Sequence, residues 1–234
     1  MTLLRKLEPE VMDSAEDASE YNEMDHSEVN QAFVDELLAF LTTNEDFRAR
    51  LDDDDEDDLI GVLDVGTGTA LIPVLLCDQH AAFKVIAVDM AVKMLELGSY
   101  NVHASLGGER VELAQADAKD LVYESEMFDV VISNSIVHHI HDPKQCVAEM
   151  VRVVQPGGAI FVRDLMRPES METLESIVQT YAGDATEYCQ QLFHQSLHAA
   201  LTLDEMRQLV LDCGWNPDGV QATSDRHWTW AAFE

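Results

Sequence analysis

The stretch Val62-Leu63-Asp64-Val65-Gly66-Thr67-Gly68-Thr69-Ala70 decides how this chain is read. An apolar run from Leu59 leads into it, short and rich in Val, Leu and Ile. That is the pattern of a strand buried on both faces of a parallel sheet. Two glycines one residue apart then let the backbone turn tightly and come close to a ligand. A helix is expected to start at Thr69 or Ala70, so that its first N–H groups face whatever the loop holds.

The same pattern repeats downstream. Residues 84–88 predict a second buried strand ending at Asp89, and residues 111–114 a third that leads into Gln115-Ala116-Asp117-Ala118. Phe128-Asp129-Val130-Val131-Ile132 predicts a fourth, running into Ser133-Asn134-Ser135, and residues 159–162 a fifth after Pro156-Gly157-Gly158. Helices are expected between them. The first spans about residues 69–80 with Pro73 in its opening turn, and the second spans 91–105. Another starts at Asp142-Pro143-Lys144-Gln145, where Asp142 caps, Pro143 suits the first helical position and Gln145 returns a bond to the cap. Strands alternating with helices predict a doubly wound parallel sheet.

The flanks read differently. Residues 1–26 form a polar arm, mobile or partly helical, whose end (Tyr21, Met24, Asp25, His26) either folds back over a site or is solvated. Ser27 is the expected N-cap of a helix with Val29, Phe33, Leu37, Phe40 and Leu41 on one face, followed by a short helix carrying Phe47 and Leu51. The carboxylate run 52–58 is a self-repelling, solvated linker. Helices at about 170–182 and 184–200 interrupt the alternation and are expected to shape a substrate pocket. Thr202-Leu203-Asp204-Glu205 then forms a capping box for a helix ending at Gly214. Residues 218–233 hold a strand pair with Trp228 and Trp230 on one face.

Composition bounds the function. The chain has 45 acidic and 14 basic residues, a formal net charge of −31, which repels phosphate backbones and anionic lipids. Neither nucleic acid nor membrane is an expected partner. Such a surface also suits a protein from a salt-adapted cell. No apolar run reaches the roughly 18–20 residues that span a bilayer, and no signal core is expected. Cys77, Cys146, Cys189 and Cys213 are scattered, which fits reduced thiols and a cytoplasmic location.

The polar residues at the strand ends are Asp64, Asp89, Asp117, Asn134 and Asp164, where open α/β sheets bind ligands. A dinucleotide loop would carry its third glycine at position 71, which is Leu71, and no P-loop lysine follows the first glycine. No Lys or Arg in the sequence near the loop awaits a pyrophosphate. An acidic site suits a ligand with cationic groups and ribose hydroxyls.

Asp64-x-Gly66-x-Gly68, Asp89, Gln115-Ala116-Asp117-Ala118, the Phe128-to-Asn134 run and Pro156-Gly157-Gly158 follow one another over residues 60–165. In this order the chain resembles the class I SAM-dependent methyltransferases. Ser133-Asn134-Ser135-Ile136-Val137-His138-His139-Ile140-His141-Asp142-Pro143 is similar to the small-molecule branch that includes ubiquinone/menaquinone C-methyltransferase-like proteins. The resemblance implies a Rossmann-like, mostly parallel seven-stranded sheet with N-terminal helices and a helical insertion at about 168–200. The likeness covers the core only; residues 59–234 are expected to form the cofactor-binding domain with the helical insertion, and residues 1–58 a lid over the site. S-adenosyl-L-methionine (SAM) is the implied cofactor, with S-adenosyl-L-homocysteine as product. The loop Gly66-Thr67-Gly68 would cradle the methionine end, Asp64 would fix its ammonium and Asn134 would lie nearby. Asp89 would take the ribose diol, Met90 would lie against adenine, and Asp117 with its neighbour Ala118 would meet the adenine amine. The family's third loop glycine is Ala70 here.

The expected function is methyl transfer from SAM to a small-molecule acceptor by a monomer or homodimer. A non-catalytic SAM-binding regulator and a nicotinamide-dependent oxidoreductase are the competing readings. Methyl transfer from a sulfonium rests chiefly on positioning, and a base is needed only if the acceptor loses a proton. His139, then His138, are the base candidates, with Tyr21 as a further catalytic candidate. His26, Arg167 and His194 are expected at the acceptor. Arg163 and Arg167 flank Asp164, and one is expected to pair with it. His194 and His198 share a helix face but lack a third ligand, so no metal is expected.

Overall fold

The computed structural model describes residues 3–8, 22, 26–52 and 58–234. Helices α1 (Ser27–Leu41) and α2 (Glu45–Asp52) lead into β1 (Ile60–Val65), α3 (Leu71–Gln79), β2 (Phe83–Asp89), α4 (Val92–Ala104), β3 (Val111–Gln115), β4 (Phe128–Asn134), α5 (Pro143–Val153) and β5 (Val154–Leu165). After β5 come α6 (Met171–Ala182), α7 (Glu187–Ala199), α8 (Leu203–Asp212), β6 (Val220–Ala222) and β7 (His227–Phe233). The seven strands form one sheet in the order β3-β2-β1-β4-β5-β7-β6. Strands β1 to β5 are parallel, and β7 runs antiparallel to both β5 and β6. The order reverses between β1 and β4, which opens the ligand crevice at their carboxyl ends.

Both faces of the sheet are covered. On one, Leu63, Val65, Val131, Ile160, Val162, Trp228 and Trp230 pack with residues of α5 and α8. On the other, Val62, Val130, Ile132 and Phe161 pack with Phe33, Val34 and Leu37 of α1 and Leu76 of α3. Phe33 meets Phe161 edge-on at 5.2 Å between ring centres. The N-terminal helix therefore shares a core with the sheet. Helices α6 and α7 build a smaller cluster of their own on Leu165, Leu174, Ile177, Val178 and Leu197, joined by Leu3.

Several local expectations are corrected. Helix α3 begins at Leu71, because Ala70 sits at φ 59°, outside the helical region. His26, not Ser27, is the N-cap of α1. Asp142 precedes α5 but makes no side-chain cap bond, so the predicted two-way capping with Gln145 is not formed. Strand β5 starts before Pro156-Gly157-Gly158: Val154 pairs with Phe128, and the register shifts before Ala159 pairs with Val130. The Thr202–Glu205 capping box forms as expected. Residues 3–8 are docked: Leu3 N donates to Glu169 O at 3.2 Å and Lys6 N to His198 O at 3.1 Å. No described helix is long and apolar enough to cross a membrane.

If α1 is part of the core, Phe33→Ala should destabilise the fold by about 3–5 kcal/mol in denaturant unfolding. A change below about 1 kcal/mol would show the helix to be peripheral.

Candidate active site

The register of the sheet puts its polar residues on one edge. Asp64 lies beside Ala87 and Ile132, Asp89 beside Gln115, and Asn134 beside Arg163. The loop after β1 is fixed to the end of β2, since Gly66 N and Thr67 N both donate to Val88 O, at 2.8 and 2.9 Å. Asp89 completes the clamp, accepting from Gly68 N at 2.8 Å through one oxygen and from Ala91 N at 2.8 Å through the other. Gly66 has φ +77°, and a Cβ there would come within 2.1 Å of the Ile136 side chain. Both facts restrict this position to glycine.

Two adjoining clefts result. The larger encloses about 850 Å³ including its open mouth. Gly66, Gly68, Asp89, Met90, Asp117, Ala118, Asn134 and His139 are among its lining residues. The smaller is lined by Asn30, Asp64, Gly66, Thr67, Thr69, Leu71, Ile72 and Asn134. Every residue expected at the cofactor thus borders one cleft or the other. Asn30 of α1 joins them without having been expected. So does Lys119, the cleft's one cation among the described lining residues, whose ammonium lies 3.2 Å from Asp117.

Electrostatics follow from burial. Burial pushes Asp64 up to about 7, against the Thr67 hydroxyl and with help from Asp89. Burial also raises Asp89, opposed by the backbone donors of Ala91 and Gly68. The Thr69 hydroxyl is buried without a hydrogen bond to any described group. A pocket holding reluctant carboxylates and an unmet hydroxyl suits a ligand that brings a cation and hydrogen-bonding groups.

The turn after β4 is organised by Asp164. Its carboxylate accepts from Val137 N at 2.5 Å, His138 N at 3.3 Å and Leu165 N at 2.6 Å, and lies 2.6 Å from His138 Nδ1. Burial opposes charge on both partners, yet Asp164 holds His138 above the ordinary imidazole value and His138 holds Asp164 below the ordinary carboxylate value. The pair's stabilisation is lost below about pH 4, as Asp164 protonates, and fades above about pH 6.5, as the imidazolium deprotonates.

The other candidates are placed as follows. His138 is buried behind the cleft, and His139 lines it. The expected pairing of an arginine with Asp164 is corrected, because His138 fills that role. Arg163 pairs with Glu36 of α1. Arg167 is 5% exposed and donates to Leu3 O, Ala200 O and Glu205 Oε1. His26, Arg167 and His194 line neither cleft. Tyr21 lies outside the described residues. Glu8, which had no signal in the sequence, reaches His139 Nδ1 at 3.0 Å.

Residues 63–162 match the family model for a methyltransferase domain. The chain is 32% identical over 106 residues to a demethylmenaquinone methyltransferase of Clavibacter sepedonicus, covering 45% of this chain and 40% of that protein. It is 27% identical over 168 residues to the protein of the same name from Renibacterium salmoninarum, covering 66% of each. The chain therefore spans less than two thirds of the length of these curated relatives. A SAM-dependent methyltransferase from Aquifex aeolicus superposes with a TM-score of 0.62 over 94% of this chain and 98% of that one, at 15% identity. The plantazolicin methyltransferase BamL, solved with a desmethyl analogue and S-adenosylhomocysteine, gives 0.65 over 88% and 70%, at 17% identity. The fold is that of the class I SAM-dependent methyltransferases. Residues 63–162 are similar to a methyltransferase domain, and the chain resembles the demethylmenaquinone and ubiquinone/menaquinone methyltransferases in particular.

Two substitutions test this architecture. Gly66→Ala should cost about 1–2 kcal/mol of backbone strain and push Ile136 into the cleft, lowering both the melting temperature and cofactor affinity. Asp164→Asn should lower stability at pH 7 by about 3–5 kcal/mol in urea titrations, since it strands the partner of a buried ion pair.

Proposed function

We propose that this chain is a methyltransferase that moves the methyl group of SAM to a small-molecule acceptor. The observation that carries the reading is the convergence of Asp64, Gly66, Gly68, Asp89, Asp117 and Asn134 on adjoining clefts at the carboxyl edge of the sheet. SAM supplies an electrophilic methyl on a sulfonium. Asp64 would meet the α-ammonium, and the Gly66–Gly68 backbone would border the methionine end. Asp89 would hold the ribose diol while still bracing Gly68, because each carboxylate oxygen accepts more than one bond. Met90 and Ala118 flank the adenine position, and Asp117 would accept from its exocyclic amine. His139 is the side chain on the cleft wall suited to take a proton from an attacking hydroxyl or carbon acid, and His138, held by Asp164, orients the turn that carries it.

The net charge of −31 supports a small acceptor over a nucleic acid, and we place the protein in the cytoplasm. Residue 22 supports the lid reading of the N-terminal region. Asn101 Nδ2 donates both to Asn22 Oδ1 at 3.0 Å and to Thr69 O at 2.8 Å, which ties residue 22 to the cofactor loop.

Calorimetry should show saturable binding of SAM and S-adenosylhomocysteine and none of NAD, and labelled SAM should transfer its methyl in a screen of quinol and phenol acceptors. NAD binding without SAM binding would refute the reading, and SAM binding without any turnover would favour a regulator. The pH dependence follows from Asp64. Its folded value near 7 means that its charge weighs on the fold increasingly as pH rises from about 4 through 7. A cationic ligand favours that charge, so SAM affinity should fall as pH is lowered from 8 to 6. Asp64→Asn should flatten this slope and weaken binding at pH 8 by about 10- to 100-fold.

A further inference from the structure

The turn that carries His138 and His139 meets the N-terminal segment at a second cluster, whose third member, Glu8, the methyl-transfer reading does not use. Glu8 Oε1 lies 3.0 Å from His139 Nδ1 and 3.6 Å from His138 Nε2. Among the described residues this is the one group of three His, Cys, Asp or Glu side chains whose ligand atoms all fall within 4.8 Å of one another. Glu8 Oε1 and His139 Nδ1 are both buried, and neither makes a hydrogen bond to a described group. We infer that Glu8, His138 and His139 form a binding site for a divalent transition cation of the zinc class, clipping the N-terminal segment to the wall of the active-site cleft.

The two separations from Glu8 suit a metal centre. Bonds of about 2.0–2.1 Å in a tetrahedron place donor atoms about 3.3–3.4 Å apart, between the two separations to Glu8 Oε1 given above. Two imidazoles and one carboxylate are a donor set that zinc accepts with a fourth position left open, and imidazole disfavours Mg2+ and Ca2+. The surrounding groups are arranged to match. Asp164 Oδ1 faces His138 Nδ1 at 2.6 Å, which keeps a proton on Nδ1, so a cation at Nε2 displaces only the other ring proton. Glu8 Oε2 accepts from Ser196 Oγ at 3.4 Å, so the other oxygen points at the histidines.

The segment that delivers Glu8 is held on both sides of the cluster. Arg5 donates to Ala199 O at 2.6 Å and to Ile140 O at 2.9 Å, and His141 Nε2 lies 2.8 Å from Glu8 O. His139 also lines the cleft, so the site adjoins the wall that an acceptor would approach.

The test uses the full chain without an affinity tag, stripped of metal and titrated with Zn2+ by calorimetry, with Co2+ as the spectroscopic probe. We expect one equivalent of Zn2+ to bind, and Co2+ to give the intense visible bands of a tetrahedral site. Glu8→Gln and His139→Ala should each weaken Zn2+ binding at least about tenfold. Glu8→Gln keeps the shape of the docked segment and answers the question even if the histidine variant folds poorly. His194→Ala should leave the affinity unchanged. Absence of stoichiometric binding would overturn the site and leave a proton shared between Glu8 and the histidines. Binding that survives Glu8→Gln, or that is lost with His194→Ala, would overturn it equally. None of these outcomes depends on methyl transfer, so the site and the proposed activity stand or fall separately.

Discussion

Strands β1, β2, β4 and β5 are covered on both faces, so a polar side chain on them reaches a partner or ligand chiefly at the carboxyl edge of the sheet. That constraint places the chemistry of this protein. Asp64, Asp89 and Asn134 come from strands whose preceding residues are mostly apolar and buried. The strand order reverses between β1 and β4, so the helices on either side of that point diverge and leave room at the same edge. A parallel sheet therefore supplies both the polar groups and the gap they face. The Gly66–Gly68 loop needs only to stay low enough not to fill it, and the close approach of Ile136 shows how little space a side chain there would have.

Asp164 extends the arrangement to a fourth strand. A carboxylate at 0% exposure is unfavourable unless its lone pairs are met, and here four donors meet them. Three of those donors belong to Val137 and His138, so satisfying the end of β5 also fixes the turn after β4. The same bond that stabilises the carboxylate chooses the tautomer of His138. Its neighbour His139 is thereby held with its ring on the cleft wall, 4.1 Å from the ring of His138 between centroids. The N-terminal segment then closes over this turn, with Arg5 supplying donors to the carbonyls of His138 and Ile140.

Much of this was legible in the sequence, because the decisive features are local. Apolar runs of strand length, glycines after β1, and a polar residue at each strand end lie within a few residues of one another, and all the expected cofactor residues border the clefts. What was missed depends on contacts between distant segments. Asp164 looked like a partner for Arg163 or Arg167 because those residues adjoin it. In an extended strand, however, adjacent side chains point to opposite faces, and Arg163 turns to Glu36 of α1 while Asp164 turns to His138. Arg167 looked available for an anionic acceptor, yet its guanidinium closes carbonyls at residues 3 and 200 and the spare oxygen of the Glu205 capping box. Glu8 carried no periodicity or motif. Its place is fixed by partners more than 130 residues away, and no local pattern encodes that.

Ala70 shows how the same local code can mislead by one residue. Its small side chain reads as an ordinary helix start, and the helix was expected to begin there or at Thr69. The backbone at Ala70 instead takes φ 59°, following glycines at +77° and +56°, so the turn from β1 needs three left-handed residues in five positions. The family's glycine at this point meets that need without strain, whereas alanine adopts it at about 1–2 kcal/mol. Its methyl is fully buried, and a Cβ at Gly98 would lie only 3.4 Å from it, so the side chain fills space between α3 and α4 that glycine would leave open. Burial of one methyl contributes about 0.8 kcal/mol, of the same order as the strain. The substitution is thus nearly balanced, which explains how a loop built for glycine keeps its shape with alanine in the third position.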